Sequence, residues 1–302
     1  AYNETSGGLE TWHIFVGEHC REDYGDIRFT NSTGAELAYY LWPDYDSSSA
    51  RFTVRLEGAD AAGTLQVWYG NPTATTTSDG DATYLFYEDF EGTSTSGSGG
   101  TVTDVNSQSG SKSYMKTDGQ TALFTLPNAI SQDVIVDHHV YLTSRGYSDR
   151  RTFYYLNSDS VHVAYDIQRF SGNGVNGRGT VFNDQTNPSQ SIPVNTWCLI
   201  RLILKFSAGT GNLSAYLPDG SQVYSFSDRS LYAGAKNIKY LKNQGVADSN
   251  TASPIYYDNI IIRAYSATPP AAITFSGEQE NPTPPVTAFS IRPRASATIP
   301  TL

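Results

Sequence analysis

Cysteine, methionine and charge are all scarce in this chain. Its 302 residues include two cysteines and one methionine, and Asp, Glu, Lys and Arg together make up 17%. Cys20 and Cys198 stand far apart and form no CxxC or Cys/His spacing, which excludes a zinc finger or a thioredoxin-like redox site. They read either as two unpaired buried thiols or as one disulfide, which requires an oxidising compartment. Positive charge is in deficit: 20 Lys and Arg stand against 30 Asp and Glu, a formal charge of -10. Such a surface repels phosphate backbones and argues against nucleic acid as a partner. It attracts hard cations such as calcium. No apolar run approaches the ~18 residues of a membrane span. No Ser/His/Asp arrangement, phosphate loop or nucleotide fingerprint is present. The glycine-rich run from Gly172 to Gly179 lacks the buried strand and the Lys-Ser/Thr helix start that a phosphate loop needs.

Aromatics, by contrast, are 13%, and 21 residues are tyrosine. Tyr, Phe, Thr and Val suit a pleated, half-buried surface, and Gly, Asn, Asp and Pro suit turns. The composition predicts an all-β protein, and the length allows two domains. The stretch Val67–Gly92 reads as their seam. Val67-Trp68-Tyr69 ends at a Gly70-Asn71-Pro72 turn, and an aromatic strand restarts at Thr83-Tyr84-Leu85-Phe86 and stops at Gly92.

Before the seam, strands are expected at Trp12–Val16, Asp26–Thr30, Leu37–Trp42, Arg51–Leu56 and Leu65–Tyr69, spaced as in a small β-sandwich. Asp26-Ile27-Arg28-Phe29-Thr30 alternates charged and apolar residues. After it, the Gly/Ser/Thr stretch Gly92–Gly100 reads as a loop. Strands follow at Ala122–Leu126, Val134–Leu142, Thr152–Leu156, Val161–Ile167, Trp197–Leu204, Asn212–Leu217, Gln222–Phe226 and Ile255–Tyr265. Pro218-Asp219-Gly220 between two of them is a hairpin signal. From Ser266 the prolines at 269, 270, 282, 284, 285, 293 and 300 stiffen a tail that is no ordinary core segment. The expected division is 1–85, 86–265 and 266–302.

Four segments together resemble a known family. They are Cys20–Thr30, Val67–Pro72, Asp79–Thr83 and Glu88–Gly92, which match it in order. The family is an uncharacterised β-sandwich domain of archaeal and bacterial surface proteins, usually followed by a concanavalin-like, laminin-G-like jelly roll. The resemblance covers residues 5–92 for the first domain, and 86–265 resembles the second. It implies an extracellular or cell-surface location and carries no enzymatic activity. Family members usually have a further strand before the segment matching Ser6-Gly7-Gly8, so the resemblance implies a sandwich short of one strand. The sequence starts at Ala1 without Met, as after processing. The sequons at Asn3, Asn31 and Asn212 fit a secreted glycoprotein.

Candidate sites follow. In jelly rolls of this type the closing strand pairs with the opening one, which would bring Asp258 beside Asp89 and Glu91. Those two share a face at strand period, so the three form a candidate structural calcium site, or else three solvated carboxylates. A retaining glycosidase needs paired carboxyls in a set spacing, and Glu88-Asp89-Phe90-Glu91 has neither Glu-x-Asp-x-Glu nor Glu-x-Asp-x-x-Glu. His138 and His139 point to opposite faces of a strand and cannot share one ion. Aromatics beside Arg make Tyr147, Arg150, Tyr154, Tyr165 and Arg169 candidates for carbohydrate, unless tyrosine simply covers the sheets. In the tail, Val286-Thr287-Ala288-Phe289-Ser290-Ile291 alternates with strand period between prolines. It reads as a donor strand for a neighbouring subunit, or as a linker. The leading functional expectation is a non-enzymatic surface filament or layer built from copies of this chain by strand addition. The alternative is a carbohydrate-binding adhesin.

Overall fold

The computed structural model describes residues 2–6, 9–13, 19–56, 64–92, 94–117, 119–143, 149–171, 174–178, 192–232, 236–244 and 254–266, with side chains for all of these but 2–13, 149–152 and 165–178. They fall into two compact units, one within Ala1–Thr83 and one over Tyr84–Tyr265. Strands dominate both. The one helix among the described residues, Gly80–Thr83, is a single turn, and the protein is all-β. No described helix is long and apolar enough to cross a membrane.

Short strands build the first unit. A hairpin joins β1 (Tyr2–Ser6) to β2 (Leu9–His13). Then come β3 (Arg28–Thr30), β4 (Tyr39–Leu41), β5 (Phe52–Val54) and β6 (Gln66–Trp68). β3 pairs with β6 and β4 with β5, all antiparallel. Tyr24, Ile27, Phe29, Leu37, Tyr39 and Tyr69 form the core. Phe29 meets Tyr39 and Phe52 edge-on at 5.3 and 5.4 Å, contacts worth about 0.5–1.5 kcal/mol each beyond area burial. Alternation around Ile27 suggests a solvated charged face, but Asp26 and Arg28 are both buried. Three-residue strands leave buried amides and carbonyls without ladder partners, and such groups must be paired. Asp26 accepts from the Arg21 and Gly70 amides at 3.0 and 2.7 Å. Arg28 donates to the carbonyls of Gly25, Ile27 and Thr75.

The second unit is a two-sheet jelly roll. Its strands are β7 (Phe86–Glu88), β8 (Gly97–Ser98), β9 (Thr101–Thr103), β10 (Ser113–Lys116), β11 (Thr121–Ile130), β12 (Val134–Leu142), β13 (Asp149–Leu156), β14 (His162–Ser171), β15 (Gly174–Arg178), β16 (Trp197–Lys205), β17 (Thr210–Tyr216), β18 (Gln222–Ser230), β19 (Ile238–Gln244) and β20 (Ile255–Ala264). The larger sheet runs β18-β17-β16-β12-β20-β10-β9, with β7 also on β20. The smaller runs β15-β14-β13-β19-β11-β8. Residues from both sheets enter one core, among them Phe90, Tyr114, Phe124, Val136, Phe153, Ile200, Leu202 and Tyr257. Opening strand β7 does pair with closing strand β20, Glu88 opposite Ile260 and Phe86 opposite Ile262.

Two features depart from the sequence reading, and the Pro218–Gly220 hairpin forms as expected. Gly92–Gly100 is not all loop: Gly97 and Ser98 pair with Phe124 and Leu123. Its glycines are there for close approach. A Cβ on Gly97 would lie 2.5 Å from the Phe124 ring, and one on Gly99, whose φ is +78°, would lie 1.9 Å from the Thr121 carbonyl oxygen. The hairpin at Pro218 has a three-residue loop, a turn closed by Gly220 N–H to the Leu217 carbonyl and by Leu217 N–H to the Ser221 carbonyl, with Gly220 at φ +81°. Finally, β20 carries a bulge. His139 faces Asp258 and Asp137 faces Ile261, so Asn259 and Ile260 together oppose His138. Asn259 takes φ +48° to make it.

His138 faces the core, fully buried, 4.7 Å from the Phe153 ring. Neither ring nitrogen has a hydrogen-bond partner. Burial, followed by the His139 charge, drives its pKa down to about 3. Below pH 6.5 the unfolded chain protonates this ring and the folded chain does not, so stability falls with acidity down to about pH 3. The slope is about 1.4 kcal/mol per pH unit. His138→Leu removes that contribution. In urea denaturation the variant's advantage over the parent is expected to be about 3 kcal/mol larger at pH 4 than at pH 7.5. An advantage that does not change with pH would show that the ring is charged or solvated in the folded chain.

Candidate functional site

The junction of β7 and β20 is where the sequence points first. Strand β7 ends at Glu88, one residue before the expected pair, and Phe90 turns to φ +63° with its ring in the core. Asp89 and Glu91 are therefore not strand neighbours, and each faces its own loop. Asp89 accepts from the Tyr87 hydroxyl at 2.6 Å and the Glu91 amide at 3.1 Å. Glu91 accepts from the amides of Ser111 and Lys112 at 2.8 and 2.7 Å and from the Ser111 hydroxyl at 2.7 Å.

On the other side, β20 changes partner from β10 to β7 between Tyr257 and Ile260. That leaves Asp258 and Asn259 at a gap in the ladder. The 106–112 loop fills it. Asp258 accepts the Gln108 and Ser109 amides at 2.8 and 3.2 Å and the Asn259 amide at 2.8 Å. Asn259 Nδ2 donates to Gln108 Oε1 and Ser109 Oγ, both at 2.8 Å. Burial pushes the Asp258 carboxyl up to about 7, against the pull of those three amides and with the Glu91 charge adding to the rise.

This arrangement does not fit calcium. Among the described residues no group of three His, Cys, Asp or Glu side chains converges on a point. The carboxylate oxygens already face N–H donors, which would be turned toward a cation. One buried oxygen, Asn259 Oδ1, has no partner, whereas calcium takes about six to eight oxygens. Nor do Glu88 and Glu91 form a catalytic pair. Glu88 is buried, accepting from the Phe90 and Ser96 amides and the Thr95 and Ser96 hydroxyls.

Of the carbohydrate candidates, Tyr147 lies outside the described residues. Arg150, Tyr165 and Arg169 sit on β13 and β14, where Arg150 pairs with Gln168 and Tyr154 with Tyr165. Tyr154 is buried and stacks on His162 at 4.8 Å. The donor segment Val286–Ile291 also lies outside the described residues, as does the side chain of Asn3. Asn31 Oδ1 accepts the Thr33 and Ala35 amides within its own turn, and Asn212 Oδ1 accepts the Asp228 amide. Of the two readings of the cysteines, the structure has the unpaired one: Cys20 and Cys198 are free thiols. Cys198 points into the jelly-roll core, where burial pushes its thiol up to about 12.

A different cluster emerges on the outer face of the larger sheet. Register stacks it in rows across the strands. Tyr256, Tyr141 and Trp197 form one row, and Asp258, His139, Leu199 and Tyr216 the next. Asp137, Arg201, Ser214 and Ser225 form the third. Tyr141 lies 5.5 Å from Trp197 and 6.0 Å from Tyr256, ring to ring. Trp197 Nε1 donates to Asn106 Oδ1 at 3.2 Å. Arg201 grips Asp137 with two parallel bonds of 2.8 and 3.0 Å, and its guanidinium lies 5.9 Å from the Tyr216 ring. Tyr141, Trp197, Ser214 and Tyr216 are half-buried, neither sealed nor fully solvated, and Arg201 is largely buried. Sequence reasoning missed this face. Its signal is one charge in the middle of each of two apolar strands, Asp137 in β12 and Arg201 in β16, in register with each other.

Because the junction carboxylates hold amides, the unfolding midpoint is expected to be the same in calcium and in a chelator. A midpoint that rises with calcium would show that the loop opens to a cation. Among known proteins, residues 23–102 match the family described as a domain of unknown function (DUF2341). No curated protein matches the chain. Several solved structures are similar in fold. A sialidase shares 11% identity over 80% of this chain at a TM-score of 0.40, and the chain spans about a fifth (22%) of its length. The cellulose-induced protein Cip1 shares 17% over 59% of this chain and 97% of its own, at 0.40. Lectin II from Ulex europaeus shares 7% over 59% and 97%, at 0.44.

Proposed function

We propose that the jelly roll is a carbohydrate-binding module of a non-enzymatic extracellular protein, and that the outer face of the larger sheet holds the glycan. The observation that carries this reading is the three-row cluster. A sugar offers an apolar C–H face and a rim of hydroxyls. It is suited by aromatic rings that remain accessible next to fixed hydrogen-bonding groups. Tyr216, Tyr141 and Trp197 offer the rings, and Arg201, Asp137, Ser214 and Ser225 offer the donors and acceptors. The Arg201–Asp137 fork holds its own geometry, so little side-chain freedom is lost on binding. A glycan array probed with the full chain is expected to retain a restricted set of saccharides. Tyr216→Ala is expected to weaken the retained ligand about tenfold, as loss of ring contact of ~1.4 kcal/mol implies, with an unchanged melting temperature. Retention of no saccharide above background would overturn the reading.

A second reading, a filament subunit joined by strand addition, is favoured by the first unit. Its described sheets are all two-stranded pairs of short strands, β1 with β2, β3 with β6 and β4 with β5. Such pairs leave backbone groups along their outer edges, a template for a strand from elsewhere. Removal of residues 286–302 is expected to abolish filaments seen by electron microscopy. Filaments of unchanged form would exclude the tail as donor.

A further inference from the structure

The outer face has a charge imbalance that a neutral sugar does not address. Asp137 has two cationic partners. Besides the Arg201 fork, Arg263 on β20 reaches the same carboxylate, its Nη2 3.3 Å from Asp137 Oδ2. All three side chains are largely buried, at 13% exposure for Asp137 and 15% and 14% for the arginines. Among the described residues two guanidiniums thus share one carboxylate, leaving one positive charge in a poorly solvated place. Arg201 has the better share, with two near-ideal bonds. Arg263 is left with one long bond. Burial lowers its pKa despite Asp137, the mark of a cation short of compensation. Other nearby charges are engaged. Lys205 is paired with Asp228 at 2.8 Å, Asp133 accepts from Ser207, and Asp258 accepts loop amides. No nitrogen of Arg201 or Arg263 is sealed without a partner, and each side chain keeps a small exposed share, 15% and 14%, through which an incoming group can reach it.

We infer that this face selects carboxylate-bearing glycans, binding a uronate carboxylate at Arg263 and Arg201 while the sugar ring lies against Tyr216. The inference rests on the carbohydrate reading and deepens it. A guanidinium presents its N–H groups in a flat fork that matches a carboxylate. Hydrogen bonds to a charged group are stronger than neutral ones. The chain as a whole is acidic and repels a polyanion at long range, so the preference belongs to this site and not to a general attraction.

The test is titration of the full chain with oligogalacturonate and with its methyl ester, followed by calorimetry. The acid form is expected to bind at least about tenfold tighter than the ester, as one charged hydrogen bond implies. Arg263→Gln leaves the Arg201–Asp137 fork in place. It is expected to bring the acid form down to the affinity of the ester while leaving the ester unchanged. Equal affinity of the two forms for the unmodified chain would overturn the inference and leave the carbohydrate reading standing. An acid preference that survives Arg263→Gln would also overturn it. Binding of neither form, with a glycan array also empty, removes both readings together. Binding of an acidic peptide with the same Arg263 dependence, and of neither saccharide, would overturn the inference in favour of a protein partner.

Discussion

Backbone amides held by carboxylate oxygens are the constraint on which the rest of this structure depends. The two-sheet core needs β7 and β20 side by side, but outside the short strands β8 and β9 the described chain between β7 and β10 is irregular backbone whose N–H groups have no ladder. Glu88, Asp89, Glu91 and Asp258 take those groups up: the amides of Phe90, Glu91, Ser96, Gln108, Ser109, Ser111, Lys112 and Asn259 all donate to one of them. An unpaired buried amide costs about 1–3 kcal/mol, and a bond to a charged acceptor is stronger than a neutral one. The first unit uses the same device at smaller scale, with Asp26 between the Arg21 and Gly70 amides. A low share of charged residues and an acidic balance are compatible because many of the carboxylates are fastened to backbone.

This also explains which parts of the fold were legible in the residues. Val134–Leu142 read to its ends because its inward residues alternate and one face enters the core. Ile255–Ala264 read almost to its ends as an apolar run, with its bulge unseen. β19 did not read, because Ile238 and Leu241 both face the core from positions of opposite parity, across a register shift against β11. The glycines of residues 97–100 read as slack. Their reason lies in Tyr114, Phe124 and Thr121, distant in sequence, which crowd the backbone there. The burial of Asp26 and Arg28 was hidden for a similar reason: which amides and carbonyls lack a ladder partner is decided only once the strands have paired.

The candidate site was legible to a smaller degree. Aromatics beside arginine pointed to the chemistry proposed above but to the other sheet, at Tyr154, Tyr165 and Arg169. Local clustering of Tyr and Arg along β13 and β14 is visible in one dimension. The cluster on the outer face of the larger sheet is assembled from five strands, with Asp137 and Arg263 126 residues apart, and only register brings Asp137, Arg201 and Arg263 together. The carboxylates near the seam were correctly expected to lie where the opening and closing strands meet. Their role was not, because strand period was carried past Glu88, where the left-handed turn at Phe90 ends it.

The bulge at Asn259 divides β20 into two halves of opposite phase. Ahead of it Ile255 and Tyr257 face inward, and beyond it Ile260 and Ile262 do. One surplus residue therefore acts as a half-twist in the parity of the strand, converting an odd-numbered lining into an even-numbered one. Without that extra step, the terminal half would present Ile261 and Arg263 to the oily interior and turn Ile260 and Ile262 outward. The guanidinium stands beside Asp137 on the open side only because a single asparagine accepts a backbone conformation that most side chains avoid.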